Sequence, residues 1–219
     1  MRLAPGTQIR ARALLFDMDG TLVNSIAVIE RLWDEWSKKQ GLALDRILAI
    51  AHGRPTIETM RLVAPDVDHE SEAADYTRRE IVETEGIIEV AGARSLLEAL
   101  PSGRWGIVTS ANRDLAAARL GAAGIAIPPV IVTVDDVERP KPHPDCYLAA
   151  AERLAVAPQE CLVFEDAPAG LASARAAGMR SIAVATTLSP EQLTAESWID
   201  DFSGLSVRED GPSLVLTIG

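Results

Sequence analysis

The stretch "LLFDMDGTLVNS", residues 14–25, decides how the rest of the chain is read. Leu14, Leu15 and Phe16 run directly into Asp17, and a second carboxylate, Asp19, follows two residues later, ahead of Gly20 and Thr21. An apolar run without polar alternation fits a strand covered on both faces, the setting of a parallel sheet. Two carboxylates this close repel each other inside a fold, so their presence at a strand end calls for positive charge nearby.

Other runs share this character: "ALLF" (13–16), "WGIVT" (105–109), "VIVTV" (130–134), "CLVF" (161–164) and "SIAVA" (181–185). Between and after them, residues 93–100, 113–124, 144–154 and 169–178 space their apolar residues at three and four, which predicts helices, with Gly124 and Gly178 as stops. Alternating strands and helices predict an α/β protein with a doubly wound, mostly parallel, Rossmann-like sheet. Residues 25–89 break the rhythm. They carry four helical patterns, 26–41, 43–53, 55–64 and 68–86, and no strand pattern. A single crossover needs fewer, so the sequence predicts a core of residues 1–24 and 90–219 with an inserted four-helix cap, 25–89. A short helix is expected around Pro190–Leu193. A closing hairpin, 205–210 with 213–218, is expected to turn at Asp210-Gly211.

The totals narrow the function. The chain has 219 residues, 47% hydrophobic and 24% charged, as in ordinary globular proteins. Its net charge of −11 argues against nucleic acid or an anionic membrane as partner, since both need positive potential. Cys146 and Cys161 lie in no disulfide-like or metal-ligand spacing and read as small buried hydrophobes. No leader-like or membrane-length apolar run is present, so a cytoplasmic protein, a monomer or weak dimer, is expected.

Ligands of doubly wound sheets gather beyond the carboxyl ends of the strands. That edge collects Asp17 and Asp19; Thr109, Ser110, Ala111 and Asn112; Lys141 in "RPKPHP"; and Glu165 with Asp166. Clustered carboxylates without suitable His or Cys point to a hard divalent cation, Mg²⁺, held by Asp17, Asp166 and the main-chain carbonyl of Asp19, with Glu165 as a secondary candidate. Lys141 and the cation would offset the charge of a phosphate dianion. Ser110, Asn112 and backbone N–H groups at the helix start around Ala111 would complete its cradle. Asp17 is then the candidate nucleophile. Asp19 is the candidate acid/base, and Gly20 permits the tight turn between strand and phosphate.

"FDMDGTLVNS", "VTSANRD", "KPHPDCYLAA" and "VFEDAPAGLASARAAG" together resemble the four motifs of the haloacid dehalogenase-like superfamily, over nearly the whole chain. The resemblance implies a Rossmann-like core, a mobile cap and Mg²⁺-dependent phosphoryl transfer through an aspartyl-phosphate. It assigns Asp17 as nucleophile, Asp19 as acid/base, Ser110 and Lys141 to phosphate and Asp166 to metal. The cap position is like the β-phosphoglucomutase subgroup, and "IERLWDEWSKKQGL", "HGRPTIETMRLVAPD" and "VREDGPSLVLTIG" look like its sugar phosphatase and glycerol-3-phosphatase branch. Hydrolysis of a small phosphorylated sugar or polyol is therefore expected. A phosphohexomutase is the alternative, although Ile29 stands where those enzymes hold a His. A phospho-receiver signalling domain is the non-enzymatic alternative. Candidate leaving-group contacts are Asn24, Ser25, His52 and Arg54, while Trp33 and Trp36 read as core.

Overall fold

The computed structural model describes residues 1–219. The chain begins with β1 (Gln8–Ala11), β2 (Ala13–Phe16) and β3 (Val23–Asn24), then α1 (Ile26–Gln40), α2 (Leu44–Ala51), α3 (Thr56–Val63) and α4 (His69–Val82). β4 (Ile88–Glu89), α5 (Ala93–Ala99), β5 (Trp105–Val108), α6 (Arg113–Ala122), β6 (Ile131–Val132) and α7 (Asp145–Arg153) follow. The chain closes with β7 (Cys161–Glu165), α8 (Pro168–Ala176), β8 (Arg180–Val184), β9 (Trp198–Ile199), β10 (Ser206–Asp210) and β11 (Ser213–Thr217).

Six parallel strands form the central sheet in the order β6-β5-β2-β7-β8-β9. β2 lies inside it and is buried on both faces, as its unbroken apolar run requires. Leu14 and Phe16 pack to one side with Leu162 and Phe164. Ala13 and Leu15 pack to the other with Val163, Tyr147 and Ala150. Phe16 stacks on Phe164 with centroids 5.1 Å apart and meets Phe202 edge-on at 6.0 Å.

Helices α1–α4 lie between β3 and β4, which pair antiparallel as a two-stranded neck carrying the chain out and back. Val28, Leu32, Trp33 and Trp36 form the buried face of α1, and a left-handed Gly41 ends the helix. In α4, Asp68 caps the N-terminus by accepting from Ser71 N–H at 3.2 Å, and the buried positions Ala73, Tyr76 and Glu80 fall on one face. A glutamate is thereby turned inward.

Several elements differ from the sequence expectations. β6 keeps only Ile131 and Val132, because a 3₁₀ turn begins at Val134 behind a Thr133–Asp136 capping box. Pro190–Leu193 form one turn, closed by Leu193 N–H to the Ser189 carbonyl at 3.1 Å, instead of a helix. The return to β9 at Trp198 leaves too few residues for further turns. In the hairpin Asp210 pairs with Ser213, so the loop is Gly211-Pro212, with Gly211 at φ 58°. β1 adds to β11 as a third antiparallel strand, and β9 extends the main sheet; neither carries a sequence pattern long enough to read.

Phe16→Ala is expected to lower unfolding free energy by about 3–5 kcal/mol in urea denaturation. A loss below about 1 kcal/mol would mean that the aromatic stack does not anchor the sheet.

Candidate functional site

Asp17 directly follows β2, and its N–H donates to the Phe164 carbonyl at 2.9 Å, which locks the start of the next loop to β7. The chain then turns tightly. The Met18 carbonyl receives the N–H groups of Thr21, Leu22 and Val23. Gly20 sits at φ 79°, and a Cβ there would collide with the Asp166 carboxylate, so only glycine fits.

Lys141, fully buried, lies at the centre. Its Nζ donates to Asp17 Oδ1 at 2.5 Å, Glu165 Oε1 at 2.7 Å and the Val108 carbonyl at 2.9 Å. Burial disfavours the ammonium, but Asp17 and Glu165 outweigh it and hold Lys141 charged. Burial likewise pushes Asp17 well above the usual carboxylate range, against the pull of Lys141. Asp166 is pushed up to about 7, first by burial and then by the charge of Glu165.

Ligand oxygens of Asp17, Glu165 and Asp166 lie within 4.8 Å of one another. Three buried carboxylates against one ammonium leave a negative deficit, and the donor set is all oxygen. Both features fit Mg²⁺, and neither favours zinc. The three are not equivalent. Glu165 is saturated, with Oε1 accepting from Lys141 and from Tyr147 OH at 3.1 Å, and Oε2 from the N–H groups of Asp166 and Ala167 at 3.0 and 3.1 Å. A Cβ at position 170 would overlap this carboxylate. Glu165 therefore orients Lys141. Asp17, which uses only Oδ1, and Asp166, which accepts from Thr21 Oγ1 at 3.1 Å and from Thr187 Oγ1, are the pair that could hold the ion.

The Asp19 side chain turns away from this cluster. Oδ1 accepts from Ser25 Oγ at 2.6 Å and Oδ2 from Arg119 Nη1 at 2.6 Å. Arg119 also donates from Nη2 to Glu80 Oε1 at 2.6 Å. A chain Asp19–Arg119–Glu80, with its last two members buried, thus joins the β2 loop, α6 and α4. Both polar residues lie on faces set by helical spacing: Arg119 beside buried Leu115 and Ala116, and Glu80 beside Tyr76.

A cavity of about 60 Å³, room for roughly four to six water-sized groups, is lined by Asp17, Asp19, Thr109, Ser110, Ala111, His52 and Arg54, together with Trp33, Glu80 and Arg119. Most sequence candidates therefore meet in one place. Ser110 Oγ donates to the Gly53 carbonyl at 2.9 Å, tying the β5 end to the helical insert. Ala111 N–H donates to Thr109 Oγ1 at 3.0 Å. Asn112 lies outside this cavity, and its Oδ1 caps α6 by accepting from Leu115 N–H at 2.9 Å. Arg54 donates from Nε to the Ile50 carbonyl at 3.2 Å, and burial lowers the His52 pKa, keeping its ring neutral near pH 7. Trp33 is core, packed on Tyr76 at 4.5 Å, yet it also lines the cavity. Sequence reasoning missed Thr21, Tyr147, Thr187, Glu80 and Arg119. Thr21 directly follows Asp-Gly and could have been flagged; the others have no local signal.

A family model described as haloacid dehalogenase-like hydrolase matches residues 11–178. The chain is 45% identical over 181 residues to hexitol phosphatase A of Escherichia coli (strain K12), covering 80% of this chain and 84% of that one. It is 36% identical over 192 residues to glycerol-1-phosphate phosphohydrolase 2 of Saccharomyces cerevisiae, covering 82% and 76% respectively. Among solved structures, a hydrolase from Pseudomonas syringae superposes with a TM-score of 0.75 at 28% identity, covering 88% of this chain and 94% of that one. No helix is long and apolar enough to cross a membrane.

Between pH 4 and about 7 the folded protein retains a proton on Asp166 that the unfolded chain has released. This group's contribution to stability is therefore greatest below pH 4 and falls as pH rises towards 7. A divalent cation can replace that proton. The rise in Tm on adding Mg²⁺ is expected to be larger at pH 8 than at pH 5, and Asp166→Asn should abolish the difference. Equal rises at both pH values would remove Asp166 from the metal site.

Proposed function

Because this chain belongs to the haloacid dehalogenase-like hydrolases, we propose that it hydrolyses small phosphomonoesters of polyols or sugars, with Asp17 as nucleophile. The observation that carries this reading is the buried Asp17–Lys141–Glu165 cluster, whose Asp17 lines the same cavity as Asp19. Relatives named as phosphatases of a hexitol and of glycerol 1-phosphate support the substrate class. Family membership in a hydrolase group leaves no support for the signalling-domain alternative.

In this reading Lys141 draws the phosphoryl group towards Asp17 and pulls against the burial that favours the protonated form of that carboxylate. Asp17 and Asp166 would hold a Mg²⁺, which would supply charge neutralisation for the phosphate oxygens. Asp17 attacks phosphorus and forms an aspartyl-phosphate. Asp19 delivers a proton to the leaving oxygen, then takes one from the water that hydrolyses the acyl phosphate. Ser25 and Arg119 fix the direction in which the Asp19 carboxylate points. Tyr147 and Glu165 hold the ammonium of Lys141 in place and make no contact with the reacting atoms.

Residues 25–89 act as a cap over the core of residues 1–24 and 90–219, with the β3–β4 neck as the hinge. Closure would exclude water, so that only compact substrates are enclosed. Ile29 lines the cavity and offers no proton-transfer group there, which favours hydrolysis over a mutase cycle.

Asp17→Asn is expected to abolish phosphate release from a panel of phosphorylated polyols and sugars. Activity within tenfold of wild type would refute the nucleophile assignment. Asp19→Asn should reduce kcat by about 10²- to 10⁴-fold with little change in KM. EDTA should inactivate the enzyme and Mg²⁺ restore it. Restoration by Zn²⁺ but not Mg²⁺ would overturn the reading of the acidic cluster.

A further inference from the structure

Two polar side-chain atoms are buried without a hydrogen-bond partner, Glu80 Oε2 and Arg119 Nε. They belong to the same ion pair, with side chains only 5% and 4% exposed, and both residues line the cavity shared with Asp17 and Asp19. Buried polar groups are paired almost everywhere in folded proteins, because leaving one unmade forfeits its bonds to water. An unpaired acceptor and an unpaired donor on two residues of the cavity wall point to a ligand that is itself both donor and acceptor.

Resting on the phosphatase reading above, we propose that Glu80 and Arg119 form the leaving-group subsite of this enzyme. In it, Glu80 Oε2 accepts a hydrogen bond from one hydroxyl of a polyol chain, and Arg119 Nε donates to a neighbouring hydroxyl. The charge pattern selects among leaving groups. Asp19, Arg119 and Glu80 together carry net negative charge, so an anionic leaving group such as a carboxylate is repelled. An alkyl or aryl group would leave both buried atoms unpaired. A vicinal diol satisfies both. The Thr56 hydroxyl lies near enough to the same carboxylate to pull its pKa down against burial, and it lines the same cavity.

The subsite is assembled from two segments. Glu80 comes from α4 in the helical insert, and Arg119 from α6 in the core. It is complete only when these segments meet, as they do here. Arg119 also holds Asp19 Oδ2, so the residue that reads the hydroxyl also orients the carboxylate proposed to protonate the leaving oxygen. Glu80 is thus a specificity residue that touches substrate. A simpler role for the pair, an ion-pair latch between insert and core, predicts different kinetics.

The test measures kcat and KM for glycerol 1-phosphate, n-propyl phosphate and 2-phosphoglycolate in wild type, Glu80→Gln and Glu80→Ala, with Mg²⁺ present. Wild type is expected to favour glycerol 1-phosphate over n-propyl phosphate by about 10²- to 10⁴-fold in kcat/KM. Both variants should lose about tenfold or more on glycerol 1-phosphate, chiefly through KM, and clearly less on n-propyl phosphate. Glu80→Gln should also narrow the rejection of 2-phosphoglycolate, a gain that a latch cannot produce. Equal losses on all three substrates would overturn the subsite in favour of the latch. If a variant fails to fold, the wild-type ratio decides alone, and a ratio near one overturns the proposal. If wild type releases phosphate from no monoester in a broad panel, the phosphatase reading fails, and this one fails with it.

Discussion

The ammonium of Lys141 is the contact on which the site depends. It lies in the interior against two carboxylates and a main-chain carbonyl, with Tyr147 and two backbone N–H groups completing the shell around Glu165. Removing one partner from such a buried group leaves an uncompensated charge, which is far costlier than losing a surface ion pair. The arrangement sets an ammonium against the burial that raises the Asp17 pKa, and it explains why Glu165 has no oxygen free for other work.

A second buried cation serves the other aspartate. Arg119 holds Asp19 on one side and Glu80 on the other, and so binds the β2 loop to α4 of the helical insert. The two aspartates of the opening motif are therefore separated by environment. Asp17 faces an ammonium and another acidic pair, whereas Asp19 faces a hydroxyl and a guanidinium. Such a division suits a nucleophile and a proton carrier working two residues apart.

Much of this was legible in the sequence. Unbroken apolar runs marked four of the central strands closely, because a strand buried on both faces must be apolar throughout. The four inserted helices showed through their spacing, and strand-end logic collected Asp17, Asp19, Lys141, Glu165 and Asp166 before any geometry was known. Short or edge elements escaped. β1, β9 and the two-residue neck strands are stabilised by pairing across the sheet and hold too few residues to carry a period. Asn112 stands at a helix start, where a residue reads equally as cap or ligand, and its side-chain Oδ1 serves as the cap of α6.

The sequence by itself determined the class of fold and the edge of the sheet where the chemistry gathers, since both follow from local periodicity and from strand order. Only the tertiary structure decided which cation each carboxylate meets, that Glu165 is saturated while Asp166 keeps to two threonines, and that Glu80 and Arg119 border the cavity with one atom each unpaired. The physical reason is range. Hydropathy patterns report which face of an element is buried, but a hydrogen bond of 2.5–2.6 Å between residues 39, 100 or 124 positions apart depends on how whole elements pack, and no local pattern encodes that distance.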